Sequence, residues 1–417
     1  MNEKNARDAS SNEGGKTALD CFLDAVHCPM PVTGFTHNFY RYPARFSPQF
    51  ARAAVELFSK PGDVVLDPFM GGGTSAVESL IAGRRFIGCD INPLSLFVTR
   101  AKTTPLSQSD AVEISEWVGL LRDHINLHAA NDRHTSWLDY QRNLPPHKRK
   151  VLEMALDTLG LLPTARRRRF ARCTLLRTAQ WELDCRKKIP GVDEFLAMHR
   201  ENVDVMIQAA RGLGRRLGEV FSCPPSRSWR HRRLLCRPAS GLDLDGRLPE
   251  GWPKPRLVLT SPPYVGVHVL YHRWQIQGRS ETAAPYWLAD CRDGHGTSHY
   301  TFGDRRRMDI ETYMGHLRES FRSVVALLDY QSVVVQLVAF SKPDAQLSHY
   351  LDVLADVGLE EMDVCGFAGS LERVWRIVPN RKWYARVKGD LPMRQEVLLV
   401  HRKRRLGPSG SETPHAH

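Results

Sequence analysis

No run of about 18 apolar residues occurs in the 417-residue chain, so no membrane-spanning helix is expected. The stretch from Met1 to Lys16 is polar and of mixed charge, and it lacks the apolar core of a signal peptide. There is no Cys-x-x-Cys pair. The nine cysteines are scattered at 21, 28, 89, 173, 185, 223, 236, 291 and 365, and an odd number leaves at least one unpaired. Such usage fits a reduced cytoplasmic compartment better than a disulfide framework. Cys223, His231 and Cys236 match no common zinc spacing, so no metal is expected. With 42% hydrophobic and 25% charged residues, the composition excludes a wholly disordered chain, a collagen-like chain and a coiled-coil rod. Negative charge is in short supply. Asp and Glu number 46 against 58 Lys and Arg, a net +12, which favours a polyanionic partner, either nucleic acid or an anionic membrane surface.

The length suits one large domain or two to three smaller ones. Residues 1–18 read as a flexible polar arm, and 404–417 as a frayed tail. Residues 49–58 predict a short helix. The apolar run 63–66 suits a buried strand and leads into Asp67-Pro68-Phe69-Met70-Gly71-Gly72-Gly73-Thr74. Ala76, Val77, Leu80 and Ile81 then recur at helical spacing. Residues 85–88 predict a second strand that ends at Cys89 and Asp90, and Asn92-Pro93 opens a helix over 94–101. Strand, glycine-rich loop, helix, strand and acid make the first half of a doubly wound nucleotide-binding fold. From about 105 to 230 the pattern is helical, with helices predicted over 112–127, 151–162 and 203–217. Strand patterns return at 234–237, 256–259, 332–340, 362–365 and 396–401. The expected fold is α/β, a doubly wound seven-stranded mixed sheet with a mainly helical insertion after the second strand. The expected domains are a discontinuous catalytic one at 19–104 and 231–403, and an inserted helical one at 105–230.

Three glycines after a strand let the backbone turn tightly and pass close to a ligand. The loop also opens a helix whose first N–H groups are free. A tight turn alone would explain it equally. The stretch from Gly71 lacks the last glycine of a pyrophosphate fingerprint, and no lysine follows as in a phosphate-binding loop. A nucleoside without phosphates is the better fit. Asp90, at the next strand end, can accept both ribose hydroxyls, or cap the helix that begins near Pro93. Ser261-Pro262-Pro263-Tyr264 follows another apolar strand. Two prolines fix the backbone and remove two N–H donors, so carbonyl oxygens dominate beside the Ser261 hydroxyl and a flat Tyr264 face. Such a turn can also do no more than end a strand. A nucleoside cradle and an acceptor-rich amine clamp at neighbouring strand ends together describe amino methylation by a sulfonium donor. A planar base in duplex DNA must be flipped out to reach such a pocket.

With these residues the chain resembles the DNA amino-methyltransferases, which modify the N4 amine of cytosine or the N6 amine of adenine. Phe69, Gly71 and Gly73 match that family's Phe-x-Gly-x-Gly loop, preceded by Asp67 and Pro68 and followed by Thr74. Asp90, with Ile91 and Asn92, corresponds to its ribose acid. Ser261 to Tyr264 matches its catalytic tetrapeptide. The stretch 37–48, with Phe46 and Pro48, resembles the segment that closes over the methionine part of the cofactor. The resemblance implies a Rossmann-like methyltransferase fold, S-adenosyl-L-methionine as cofactor and double-stranded DNA as partner. It also implies a role in restriction-modification that allows a cognate restriction endonuclease; the target sequence and the oligomeric state stay open. Serine at the first clamp position favours N4-cytosine. An N6-adenine enzyme with the same clamp, an RNA or protein-amide methyltransferase and a non-catalytic DNA-binding protein remain alternatives. In the N4 reading Ser261 orients the amine, the Pro262 carbonyl accepts its second hydrogen, and Tyr264 stacks on the base. Carbon-5 methylation needs a nucleophilic Cys after a Pro, whereas Cys223 precedes Pro224.

Residues 148–188 hold twelve Lys or Arg against four acids, densest at Arg166, Arg167, Arg168 and Arg169. Such a run can follow a phosphate backbone, or form a solvated face. A basic and aromatic excursion after the clamp includes Arg273, Trp274, Arg279, Tyr286, Trp287, Arg305 and Arg306, residues suited to phosphate or guanine contacts. Target recognition is expected within 105–230, helped by 267–310. Arg373, Trp375 and Arg376 begin a last basic–aromatic patch that suits a phosphate contact or a surface hairpin.

Overall fold

Short β-branched runs pair in parallel when helices cover both faces of the sheet, since every residue is then buried. Val64, Val65, Leu66 and Asp67 form such a strand, β1 (Val64–Asp67), with all four positions buried. It pairs in parallel with β2 (Arg85–Asp90) on one side and β4 (Pro255–Thr260) on the other. β2 continues to β3 (Arg232–Cys236), and β4 to β7 (Val333–Val338), again in parallel. β10 (Gln395–Lys403) runs antiparallel to β7 and to β8 (Leu359–Glu361), and β9 (Trp375–Ile377) pairs beside it on β10. The order is β3-β2-β1-β4-β7-β10-β8. A separate hairpin joins β5 (Trp274–Ile276) and β6 (Ser280–Thr282). The computed structural model describes residues 16–28, 32–42, 45–128, 135–264, 273–278, 280–293, 302, 310–364, 373–377 and 395–405.

Strand side chains alternate between the two faces. Val65, Phe86, Leu257, Leu259, Val335 and Leu337 pack beneath α1 (Ala18–His27), α2 (Pro48–Phe58) and α3 (Thr74–Ile81). Val64, Leu66, Ile87, Cys89, Val258 and Val334 face α10 (Ile310–Ala326) and α11 (Pro343–Asp356). The sheet is thus wound on both faces, and its main path has the expected seven strands, with β9 as an eighth.

Between β2 and β3 the described residues form five α-helices: α4 (Pro93–Lys102), α5 (Gln108–His124), α6 (Pro146–Asp157), α7 (Ala165–Leu183) and α8 (Val192–Phe221). They bury Trp117, Phe170, Leu176, Phe195 and Met206 in one core, which Phe39, Tyr40 and Tyr42 of the upstream stretch share. Trp274, Tyr286 and Trp287, from the hairpin and the following α9 (Ala284–Ala289), belong to the same core. These aromatics pack the helical layer from below; they are not an exposed aromatic wall.

The arginine run is helical, in line with the helical pattern expected over 105–230. α7 carries it, with Phe170, Cys173, Leu176 and Leu183 buried on the opposite side. The strand expected at 362–365 is β8, three residues earlier, and Met362 adds one hydrogen bond to the Val400 carbonyl. Cys365 lies outside the described residues, as do 1–15 and 406–417 of the expected arm and tail. Thr17 and Ala18, inside the expected arm, are structured: Thr17 caps α1 in a reciprocal box with Asp20. Among the described residues no helix is long and apolar enough to cross a membrane.

Candidate active site

β1 and β4 are parallel neighbours, so the loops that follow them leave the same edge of the sheet. Asp67 ends β1 and is 2% exposed. Its carboxylate accepts hydrogen bonds from the Phe69 N–H (3.1 Å), the Ser75 hydroxyl in the first turn of α3, and the Thr260 hydroxyl (2.7 Å). Thr260 is the residue before Ser261. One buried carboxylate therefore ties the glycine loop to the clamp.

Burial pushes the Asp67 carboxyl up to about 6, against the pull of those three donors. The neighbouring Asp90 charge pushes the same way. An acid whose pKa is raised by folding loses stability as pH climbs from its unfolded to its folded value, because the charge must then be buried. Above that window the penalty is constant. Relative to D67N, which cannot ionise, the wild-type chain is expected to lose about 3 kcal/mol between about pH 4 and pH 6 and nothing further by pH 7. Urea unfolding of both proteins across that range measures the difference, from which the buried histidines cancel.

Each glycine of the loop has its own reason. Gly71 and Gly73 have φ of +46° and +72°, where other residues are strained. A Cβ on Gly72 would stand 2.7 Å from the Cβ of Tyr42. Tyr42 belongs to the upstream stretch, and its hydroxyl accepts from Asn92 Nδ2 at 3.1 Å. The stretch 37–48 thus closes on the glycine loop through Tyr42. Pro43 and Ala44 lie outside the described residues. Pro48 starts α2, and Phe46 packs against Phe50 in the core, at 5.6 Å between ring centroids. Below the loop, the fully buried Lys102 donates to the Gly72 carbonyl at 2.7 Å, and burial drives its pKa well down. Arg45 holds the His37 and Tyr40 carbonyls, and burial lowers it to about 10.

Asp90 ends β2. Its two oxygens accept from the N–H groups of Gly71 and Asn92, each at 2.8 Å. Burial raises its pKa against those bonds. Asp90 does not cap α4. That role is Asn92's, whose Oδ1 accepts from the Leu94 N–H at 3.0 Å. Ile91 packs against the helical core, Phe69 stands edge-on to Phe302, and the Pro68 carbonyl accepts from the Cys89 thiol. Thr74 is buried at the start of α3, and among the described residues its hydroxyl has no partner.

In the clamp, Ser261 Oγ lies 2.8 Å from the Leu337 carbonyl and 3.1 Å from the Tyr264 hydroxyl. The Tyr313 hydroxyl, from α10, donates to the Pro263 carbonyl. Among the described residues no protein donor reaches the Pro262 carbonyl. Tyr264 is 6% exposed, and its hydroxyl donates to Glu396 on β10 at 2.7 Å. Its ring is therefore packed into the α10 side of the sheet rather than held out as a free face. Glu396, Tyr313 and Lys102 were not singled out by motif. They reach the site from 30 to over 130 residues away in sequence, and no spacing marks them.

The basic residues are placed differently from one another. Arg166 Nη2 and Arg167 Nε both reach the fully buried Asp110, at 2.7 and 2.8 Å, and Arg167 also pairs with Glu113. Arg168 is exposed and donates to the Leu162 carbonyl, while Arg169 is half-buried. Arg273 pairs with Asp293 at 3.0 Å. Arg376 is engaged with Glu396 at 2.5 Å and is no open phosphate contact. Arg279, Arg305 and Arg306 lie outside the described residues. R167A is expected to lower the unfolding free energy by about 1–3 kcal/mol, since Asp110 loses part of its pairing. It should leave the salt slope of DNA binding unchanged. Urea melts and binding titrations at several salt concentrations measure the two.

Residues 2–96 match the N6/N4 methyltransferase family model, described as DNA methylase. Over 77 residues the chain is 49% identical to type II methyltransferase M.MvaI of Kocuria varians, 18% of this chain and 17% of that protein. Over 54 residues it is 46% identical to the tRNA (guanine(10)-N2)-dimethyltransferase of Methanocaldococcus jannaschii, 13% and 15% of the two chains. Over 55 residues it is 34% identical to the DNA adenine methyltransferase YhdJ of Escherichia coli, 13% and 19%. Each match spans less than a fifth of the relative's length. S-adenosylmethionine is the methyl donor these relatives imply, and the residues fit it: the glycines leave backbone room beside the Asp90 carboxylate at the carboxyl ends of β1 and β2, and the buried Thr74 hydroxyl next to the loop has no partner among the described residues. Over residues 2–96 the chain is similar to the DNA methylases of the N6/N4 family, with the N4 and N6 branches both open.

Proposed function

We propose that the chain methylates an exocyclic amine of a flipped-out base in duplex DNA, with cytosine N4 as the target. The observation that carries this reading is the Asp67–Thr260 hydrogen bond of 2.7 Å, which fixes the glycine cradle and the oxygen-lined clamp side by side. The cofactor supplies an electrophilic methyl on a sulfonium. The protein's task is to hold that methyl in line with the amine nitrogen and to free the nitrogen's lone pair. Asp90 accepts the ribose hydroxyls, and the loop backbone passes along the nucleoside. Ser261 Oγ and the Pro262 carbonyl accept the two amine hydrogens, which turns the nitrogen from planar toward tetrahedral and exposes its lone pair. The Pro263 carbonyl already accepts from Tyr313, whereas among the described residues the Pro262 carbonyl has no protein donor. No covalent bond to the base is needed.

The serine at the head of the clamp supports cytosine. The relative named as an adenine methyltransferase supports N6-adenine with the same residues. The relative named as a tRNA methyltransferase keeps RNA as a weaker reading. The test incubates the purified chain with labelled S-adenosylmethionine and mixed-sequence duplex DNA, single-stranded DNA or tRNA, then digests to nucleosides. N4-methylcytosine from duplex DNA is expected. N6-methyladenine moves the assignment to the other branch, label in tRNA alone moves the substrate, and no label in any nucleic acid overturns the proposal.

A further inference from the structure

A serine hydroxyl carries one proton and can either donate or accept. To draw a hydrogen from an amine, Ser261 must place its own proton elsewhere. Both groups beside it are acceptors of that proton. One is the Leu337 carbonyl at 2.8 Å, which cannot donate. The other is the Tyr264 oxygen at 3.1 Å, a hydroxyl whose character depends on where its own proton goes. The Tyr264 proton is taken by Glu396 Oε1 at 2.7 Å. Glu396 is 3% exposed, and an ionised carboxylate only accepts. It is paired with Arg376, whose Nε lies 2.7 Å and Nη2 2.5 Å from Glu396 Oε2. The same guanidinium donates from Nη1 to the Val26 carbonyl in the last turn of α1, at 3.2 Å. Donation runs in one direction, from Arg376 and Tyr264 into Glu396 and from Ser261 away from the crevice.

We infer that Glu396, fixed by Arg376, is a positioning residue that acts through Tyr264 to make Ser261 an acceptor toward the target amine. The inference rests on the proposed function for the identity of the acceptor's partner. It assigns to β10 and β9 a part in catalysis that no motif in the chain indicates. It also gives the buried Tyr264 hydroxyl a use that base stacking does not require.

E396Q is the decisive variant. A glutamine has one oxygen, and the Arg376 donors compete for it. Its amide NH2 then faces the Tyr264 oxygen, and the tyrosine proton turns toward Ser261. Ser261 accepts from within the protein and is a poorer acceptor for the amine. The expected result is a fall in kcat of about 10- to 100-fold, the scale seen when a partner behind a working ligand is removed. The KM for DNA and the Kd for S-adenosylhomocysteine should stay within about twofold. In a Y264F background the same substitution should cost less than about threefold, because the relay is already cut. An unchanged kcat in E396Q, or the same loss with and without the Tyr264 hydroxyl, overturns the inference. Tyrosine labelled with carbon-13 at Cζ gives a readout that needs no turnover. The Tyr264 resonance should move on E396Q, and an unmoved resonance overturns the relay. A wild-type chain that methylates nothing overturns the proposed function instead, and leaves the resonance to judge the relay.

Discussion

Replacing Ser261 by alanine lowers the turnover of methyl transfer by about 100- to 1,000-fold, the cost of deleting one preorganised hydrogen-bonding partner from a reacting centre. S-adenosylhomocysteine binds the variant with a Kd within about twofold of wild type. The two effects separate because, in the proposed function, Ser261 belongs to the amine clamp after β4, whereas the proposed cofactor cradle is the glycine loop after β1 and Asp90 at the end of β2. The alanine leaves no new charge and opens only one oxygen's volume, so the fold is not at stake. S261N is expected to recover part of the rate, since its amide oxygen can accept in place of the hydroxyl. Single-turnover transfer from labelled S-adenosylmethionine measures the rate, and calorimetry the affinity. Wild-type turnover in S261A would remove the clamp from the mechanism. A lost affinity would place Ser261 in the cofactor cradle.

The half of the site that lies in contiguous motifs is legible in the sequence, because each motif sits where one strand ends. Val64 to Leu66 and the strand before Ser261 are unbroken apolar runs, so their termini mark the carboxyl edge without any structure. The partners of those motifs are not legible. Thr260 reads as one more strand residue until its hydroxyl meets Asp67 across 193 positions. Lys102 reads as the basic end of a helix until it is found buried under Gly72. The arginine run shows the opposite failure. A charge cluster has the same pattern whether it faces phosphate, water or buried acids, and only the placement of Asp110 and Glu113 reveals that Arg166 and Arg167 hold two helices together. Trp274, Tyr286 and Trp287 failed likewise, since an aromatic looks the same in a groove wall as in a core.

The glycine loop yields the second large effect. G73A weakens S-adenosylhomocysteine binding by at least about 100-fold, because a loop displaced by about an ångström no longer holds its ligand in register. Two costs act together. The left-handed φ of +72° penalises any side chain by about 1–2 kcal/mol. The new Cβ would also stand 2.4 Å from Thr99 Oγ1 and 2.8 Å from its Cγ2, contacts that the fully buried Thr99 on α4 cannot relieve by turning outward. The second cost can be removed on its own. Thr99 Oγ1 makes no hydrogen bond among the described residues, so T99A should bind the ligand with nearly wild-type affinity. The double variant G73A/T99A is left with the backbone strain and one contact at 3.0 Å, and it should regain about tenfold over G73A. Calorimetric titration of the four proteins, with circular-dichroism melts to confirm that each is folded, decides the matter. Equal affinities for G73A and the double variant would show that α4 does not set the loop's position. In that case Asp90 and Tyr42, which hold Gly71 and cover Gly72, would have to fix it without α4.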